Sequence, residues 1–136
     1  MKNYVLDANA VIRYLIKGPG VEKIDKLFAQ SQRGEVALFI SVINRGEVLY
    51  TLAKRAGMGA AKEAMQTLDQ YLEAMAATQD VADRAAALKF NYKLGYGDCF
   101  AAELAVRLSA TLVTADPGFT KVGKQLKILA LPRHSG

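Results

Sequence analysis

The sequence predicts an α/β fold, a parallel sheet of four or five strands covered by helices. Short apolar runs alternate with longer stretches of helical period along the chain. Glycine, proline and capping residues fall at the junctions. With 136 residues, 51% of them hydrophobic and 23% charged, one domain with a well-buried core needs no covalent staples.

Taken in order, residues 2–7 form the first strand, with Tyr4, Val5 and Leu6 apolar. A helix over 8–17 puts Val11, Ile12, Leu15 and Ile16 on one face and is broken by Gly18, Pro19 and Gly20. A second helix covers 21–33, with Glu22 and Asp25 toward the positive end of its dipole. The second strand, 37–41, follows Gly34. Ser41 caps a helix over 42–56 that stops at Gly57 and turns Ile43, Val48, Leu49, Leu52 and Ala56 to the core. A long helix is expected over 60–76 and a short third strand near Thr78, where the apolar signal is poor. Asp80 reads as the cap of a helix over 81–94, and Gly95, Tyr96 and Gly97 as a loop. Residues 98–109 are helical and 111–114 form the fourth strand. Asp116-Pro117-Gly118 is a turn, and 127–131 is the last strand.

Several function classes are disfavoured at once. No apolar run approaches the roughly 18 to 20 residues that span a bilayer. The N-terminus carries Asp7 and Arg13 where an export signal needs an apolar stretch, so a cytoplasmic location is expected. Cys99 is the one cysteine and His134 the one histidine, far from each other in sequence, which gives no nucleophile–base pair. Cys99 reads as a small buried residue and His134 as a tail residue.

Four acids fall where parallel sheets carry chemistry, at the carboxyl ends of strands. Asp7 ends strand one, and Asp116 lies just past strand four. Glu47 is about one and a half turns into the helix leaving strand two. Asp98 starts a helix roughly 18 Å long, whose antiparallel packing on strand four would return Asp98 to the same edge. Glu103 lies about 140° further round that helix and faces elsewhere. Gathered carboxylates repel one another unless a cation compensates. Mg²⁺ takes hard oxygen ligands and keeps waters, so the pattern reads as a metal site open to a phosphodiester. Setting the four aside leaves nine acids against 18 lysines and arginines, a basic body suited to a nucleic-acid backbone. Arg13, Lys17, Arg45, Arg84, Lys89 and Lys93 are candidate backbone contacts; Tyr92 and Tyr96 are candidate stacking residues.

Read singly, each residue also has a structural use. Asp7 and Asp98 could cap helices, and Asp116 could serve its turn. Asn44 could share the side of Glu47 or complete a capping arrangement with Ser41, the preferred reading. Asn9 divides between cap and site, and Thr114 reads by pattern as strand filler. Tyr92 could be core, and Lys89 and Lys93 a solvated ridge.

The segments VLDANAVI, ISVINRGEVLY, GDCFAAELAV and LVTADPGF together resemble the PIN domain, and within it the VapC-type toxins of bacterial toxin–antitoxin pairs. The resemblance runs from residue 4 to residue 132. It implies a PIN-like three-layer fold with helices on both faces of the sheet. It implies metal-dependent endoribonuclease activity, with Mg²⁺ or Mn²⁺ held by Asp7, Glu47, Asp98 and Asp116, and with Asn9 and Thr114 as supporting hydrogen-bonding positions. It also implies 5′-phosphate and 3′-hydroxyl products, a homodimer and a cognate antitoxin. Two departures stand out. Pro117 follows the last acid where many members carry a polar residue; if that position helps hold a second metal, only one ion binds tightly here. The glycine-rich GYG before Asp98 implies loose positioning. Two alternatives remain from the residues alone. A phosphohydrolase would use Asp7 as nucleophile and trap phosphate on it, though Asn9 stands where a second acid is wanted. A non-catalytic RNA-binding module would be indifferent to Asp7→Asn.

Overall fold

The computed structural model describes residues 1–133; His134 lies outside the described residues. Five strands pair in parallel in the order β3-β2-β1-β4-β5: β1 (Lys2–Leu6), β2 (Val36–Ser41), β3 (Glu73–Met75), β4 (Thr111–Thr114) and β5 (Lys127–Ala130). Tyr4 of β1 is opposite Leu38 on one side and Thr111 on the other. The chain therefore begins mid-sheet, winds outward through β2 and β3, then returns to build β4 and β5 on the far side. The winding reverses between β1 and β4. In an open parallel sheet that reversal leaves a crevice at the carboxyl ends of the two strands.

Helices cover both faces. On one side lie α1 (Ala8–Leu15), α2 (Val21–Gln32), α3 (Val42–Ala56) and α4 (Met58–Leu68). Their Val11, Ile24, Phe28, Val48, Met65 and Leu68 pack with Leu6, Leu38, Ile40 and Val113 of the sheet. On the other lie α5 (Gln79–Tyr92), α6 (Tyr96–Arg107) and a 3₁₀ stretch (Pro117–Gln125). There Val81, Ala85, Phe100, Leu104 and Phe119 pack with Val5 and Leu112. Neighbours Val5 and Leu6, like Leu112 and Val113, enter opposite cores because successive strand side chains alternate. With both faces covered, the central strands read as unbroken apolar runs. Among the described residues no helix is long and apolar enough to cross a membrane.

Four expectations are corrected. The helix expected over 60–76 ends at Leu68, and the third strand is Glu73–Met75 instead of a segment near Thr78. Thr78, not Asp80, caps α5, its hydroxyl accepting from the Val81 N–H at 3.3 Å. Tyr96 and Gly97 are the first turn of α6 and not a loop. Beyond the turn at Asp116 the chain continues as a 3₁₀ stretch that buries Phe119 and Val122, three residues apart as that helix requires.

Candidate active site

The crevice at the winding reversal is flanked by Asp7, directly after β1, and by Thr114 and Asp116 at the end of β4. Asp7 is buried and is the N-cap of α1, its Oδ1 accepting from the Ala10 N–H at 2.8 Å. Its Oδ2 accepts from the Thr114 hydroxyl. That hydroxyl in turn accepts from the Asp116 N–H at 3.0 Å, which leaves its own proton for Asp7. Thr114 is thus the bridge between the two strand ends, where the sequence pattern alone reads strand filler. Asp116 is exposed, and its Oδ1 accepts from the Gly118 N–H at 2.8 Å at the start of the 3₁₀ stretch.

Two helices complete the acidic edge. Ser41 caps α3 by accepting from the Ile43 N–H, and Glu47 follows in the second turn of that helix. Gly95 is the N-cap of α6 and Asp98 lies in its first turn, so Asp98 is not itself the cap. There its charge faces the positive end of the helix dipole. Asn44 bonds Glu47 Oε1 at 2.7 Å and the Gly97 carbonyl at 3.0 Å, so it belongs beside Glu47 and not to a Ser41 capping arrangement. In GYG, read from sequence as loose, Gly97 lies against the Glu47 carboxylate.

The electrostatics record the convergence. Burial pushes the Asp7 carboxyl up to about 6; hydrogen bonds from Thr114 and Ala10 oppose this, and the charges of Asp98 and Asp116 add to it. Asp98, half-buried, is also raised, by burial first and then by Asp116 and Glu47. Asp7 thus feels Asp98 and Asp116, and Asp98 feels Asp116 and Glu47, at one end of the sheet. They do not form a tight cage: among the described residues no three Asp, Glu, His or Cys side chains stand close enough to enclose a metal ion. The carboxylates gathered at this end of the sheet are thus spaced more widely than a closed cage requires. The donor set still fits Mg²⁺, a hard cation usually held by one or two carboxylates with waters and substrate phosphate completing its shell.

The remaining candidate residues fall into different surroundings. Asn9 is exposed beside the site. Arg13 is buried, its guanidinium donating to the carbonyls of Pro19, Pro132 and Arg133, which fastens the end of the described chain to α1. Arg45 is paired with Asp69 at 2.6 Å, Arg84 with Glu103 at 3.0 Å, and Lys89 with the Leu94 carbonyl at 2.9 Å. Lys17 and Lys93 stand exposed. Tyr96 is exposed and sits edge-on to Phe100, with ring centroids 5.0 Å apart. Tyr92 packs against the α5–α6 core and Cys99 is fully buried.

The sequence model of the PIN domain matches residues 4–125. No curated protein matches the chain in sequence. In fold it is similar to VapBC2 from Rickettsia felis, solved bound to a DNA fragment from its promoter, with a TM-score of 0.78, 19% identity, and coverage of 95% of this chain and 98% of that one. DNA-bound VapBC from Salmonella typhimurium gives 0.74 at 18% identity, covering 96% and 98%. VapC20 from Mycobacterium tuberculosis, described as a sarcin–ricin loop cleaving toxin, gives 0.68 at 16% identity, covering 88% and 95%.

Proposed function

Because the chain belongs to the PIN domain family, we propose that it is a divalent-metal-dependent endoribonuclease and the toxin of a toxin–antitoxin pair. The observation that carries the reading is Asp7: a buried carboxylate at the winding reversal, under the charges of Asp98 and Asp116 and, among the described residues, hydrogen-bonded by the Thr114 hydroxyl and the Ala10 N–H with no cation beside it. Such a site favours a cation, and a cation at the carboxyl end of the sheet on a protein of net charge +5 favours a phosphodiester. The similarity to toxin–antitoxin structures supports a cognate antitoxin and a cytoplasmic setting. The whole chain would act as one domain, and as a homodimer.

Asp7, Asp98 and Asp116 would supply oxygens to Mg²⁺, with Mn²⁺ as a substitute, and Glu47 would ligate it or orient a water. When bound, the ion lowers the pKa of a coordinated water and stabilises charge on the phosphate. Thr114 holds Asp7 Oδ2 in place, and the α1 N-terminus holds Oδ1. Asp98 sits in the first turn of α6, so its carboxylate would meet the ion from a rigid element. No histidine or lysine is required as general base. Lys17, Lys93 and Tyr96 are the exposed side chains that would meet RNA.

The test is cleavage of a panel of structured RNAs with EDTA, then with Mg²⁺ or Mn²⁺ restored. Cutting should stop and return, leaving 5′-phosphate and 3′-hydroxyl ends. Cutting that survives chelation removes the metal from the mechanism. Binding without cutting in any metal leaves an RNA-binding module instead.

A further inference from the structure

Asn44 lies inside the contact between α3 and α6, with 1% of its surface exposed. Its side-chain nitrogen donates to Glu47 Oε1 at 2.7 Å and to the Gly97 carbonyl at 3.0 Å. Both partners accept only, which fixes the nitrogen end of the amide. The other end, Oδ1, is buried with no hydrogen-bond partner among the described residues. An apolar side chain would meet no such penalty in a contact between helices. What the residue contributes is therefore what its nitrogen holds.

Gly97 belongs to the same arrangement. A methyl group on its Cα would stand 2.5 Å from Glu47 Oε2 and 2.9 Å from the carboxylate carbon, so the flexible end of Glu47 would have to move away. Glycine here lets the carboxylate lie against the first turn of α6. The next residue is Asp98. One amide and one missing side chain thus let Glu47 of α3 lie against the first turn of α6, where its charge acts on Asp98.

We infer that Asn44 and Gly97 form a seat that holds Glu47 next to Asp98, so that the two acids meet one divalent cation together. Asn44 is a positioning residue, acting through Glu47. The inference rests on the reading of the acidic edge as a cation site.

The test is Mn²⁺ binding to the RNA-free protein, followed by electron paramagnetic resonance and calorimetry. Asn44→Ala and Gly97→Ala should each weaken binding by roughly tenfold, the size expected for a supporting residue. In a Glu47→Gln background neither change should weaken it further, because the residue they act through is gone. Equal losses in both backgrounds, or single variants that bind Mn²⁺ like the wild type, overturn the inference. If Asn44→Ala does not fold, Gly97→Ala carries the test, since alanine favours a helical position over glycine. A wild type that neither binds Mn²⁺ nor cuts RNA sinks the metal reading and this inference with it. A wild type that binds, with additive variants, sinks the seat alone.

Discussion

Asp7 and Glu103 are equally buried, each 3% exposed, yet their surroundings are opposite. Glu103, in the seam between α5 and α6, accepts from Arg84 at 3.0 Å and Arg107 at 2.8 Å. Asp7, at the sheet edge, has a hydroxyl, a backbone N–H and other acids for neighbours, and no ion pair among the described residues. A buried charge is tolerated when paired and costly when not. The seam is neutralised by the chain itself and reads as structure. The edge is left short of positive charge and reads as a place for something the chain does not contain.

The sharpest way to break this comparison is by activity. Asp7→Asn or Asp98→Asn should lower metal-dependent RNA cleavage by at least ~1000-fold, because a lost ligand removes several kcal/mol of charge stabilisation. Glu103→Ala should leave cleavage per folded molecule unchanged. A reversed ranking would exchange the roles of the two regions.

Stability should move the other way. The Asp7 carboxyl is raised from its ordinary 3.8 to about 6, so the folded state holds a proton that the unfolded state has released. Metal-free stability is then full below about pH 4 and falls as pH rises through about 6, by about 3 kcal/mol in all at ~1.4 kcal/mol per unit. Asp7→Asn, which cannot ionise, should flatten that decline and be the more stable protein at pH 7.5 in EDTA, by up to about 3 kcal/mol. Denaturant midpoints between pH 4 and 8 measure it; parallel curves for the two proteins would contradict it. Glu103→Ala should destabilise at neutral pH by about 2 kcal/mol, less than a fully buried pair because both guanidiniums keep contact with water. Thr114→Val removes the one hydroxyl on Asp7 and should cut activity about tenfold, as supporting residues of metal sites do.

The central sheet was legible because β1, β2 and β4 are buried and apolar, and Asp7 and Asp116 stood out because they follow strand ends, whereas Glu47 and Asp98, on helices, were placed only by how those helices return to the sheet. The edge was not. Glu73, Ala74 and Met75 pair with β2 through the backbone while largely exposed, so they leave no apolar alternation to find. The end of α4 was hidden because Ala61, Met65 and Leu68 are followed at helical spacing by Leu72, buried although the helix has stopped. Arg13 and Asn44 were misread for one shared reason. Local rules describe a helix turn, whereas their partners lie 119 and 53 positions away, at Pro132 and Gly97. The role of Gly97 was equally out of reach, since a missing side chain signals only what approaches it in space.

The most direct measurement is unfolding of the wild type at pH 7.5 across a Mg²⁺ titration, beside Asp7→Asn. An ion that binds only the folded state should stabilise the wild type progressively, by about 2.7 kcal/mol at a hundredfold excess over its dissociation constant, and leave Asp7→Asn nearly unmoved. A wild type whose midpoint ignores Mg²⁺, or a variant that follows it equally, would show that the charge at the sheet edge is not there to hold a divalent ion.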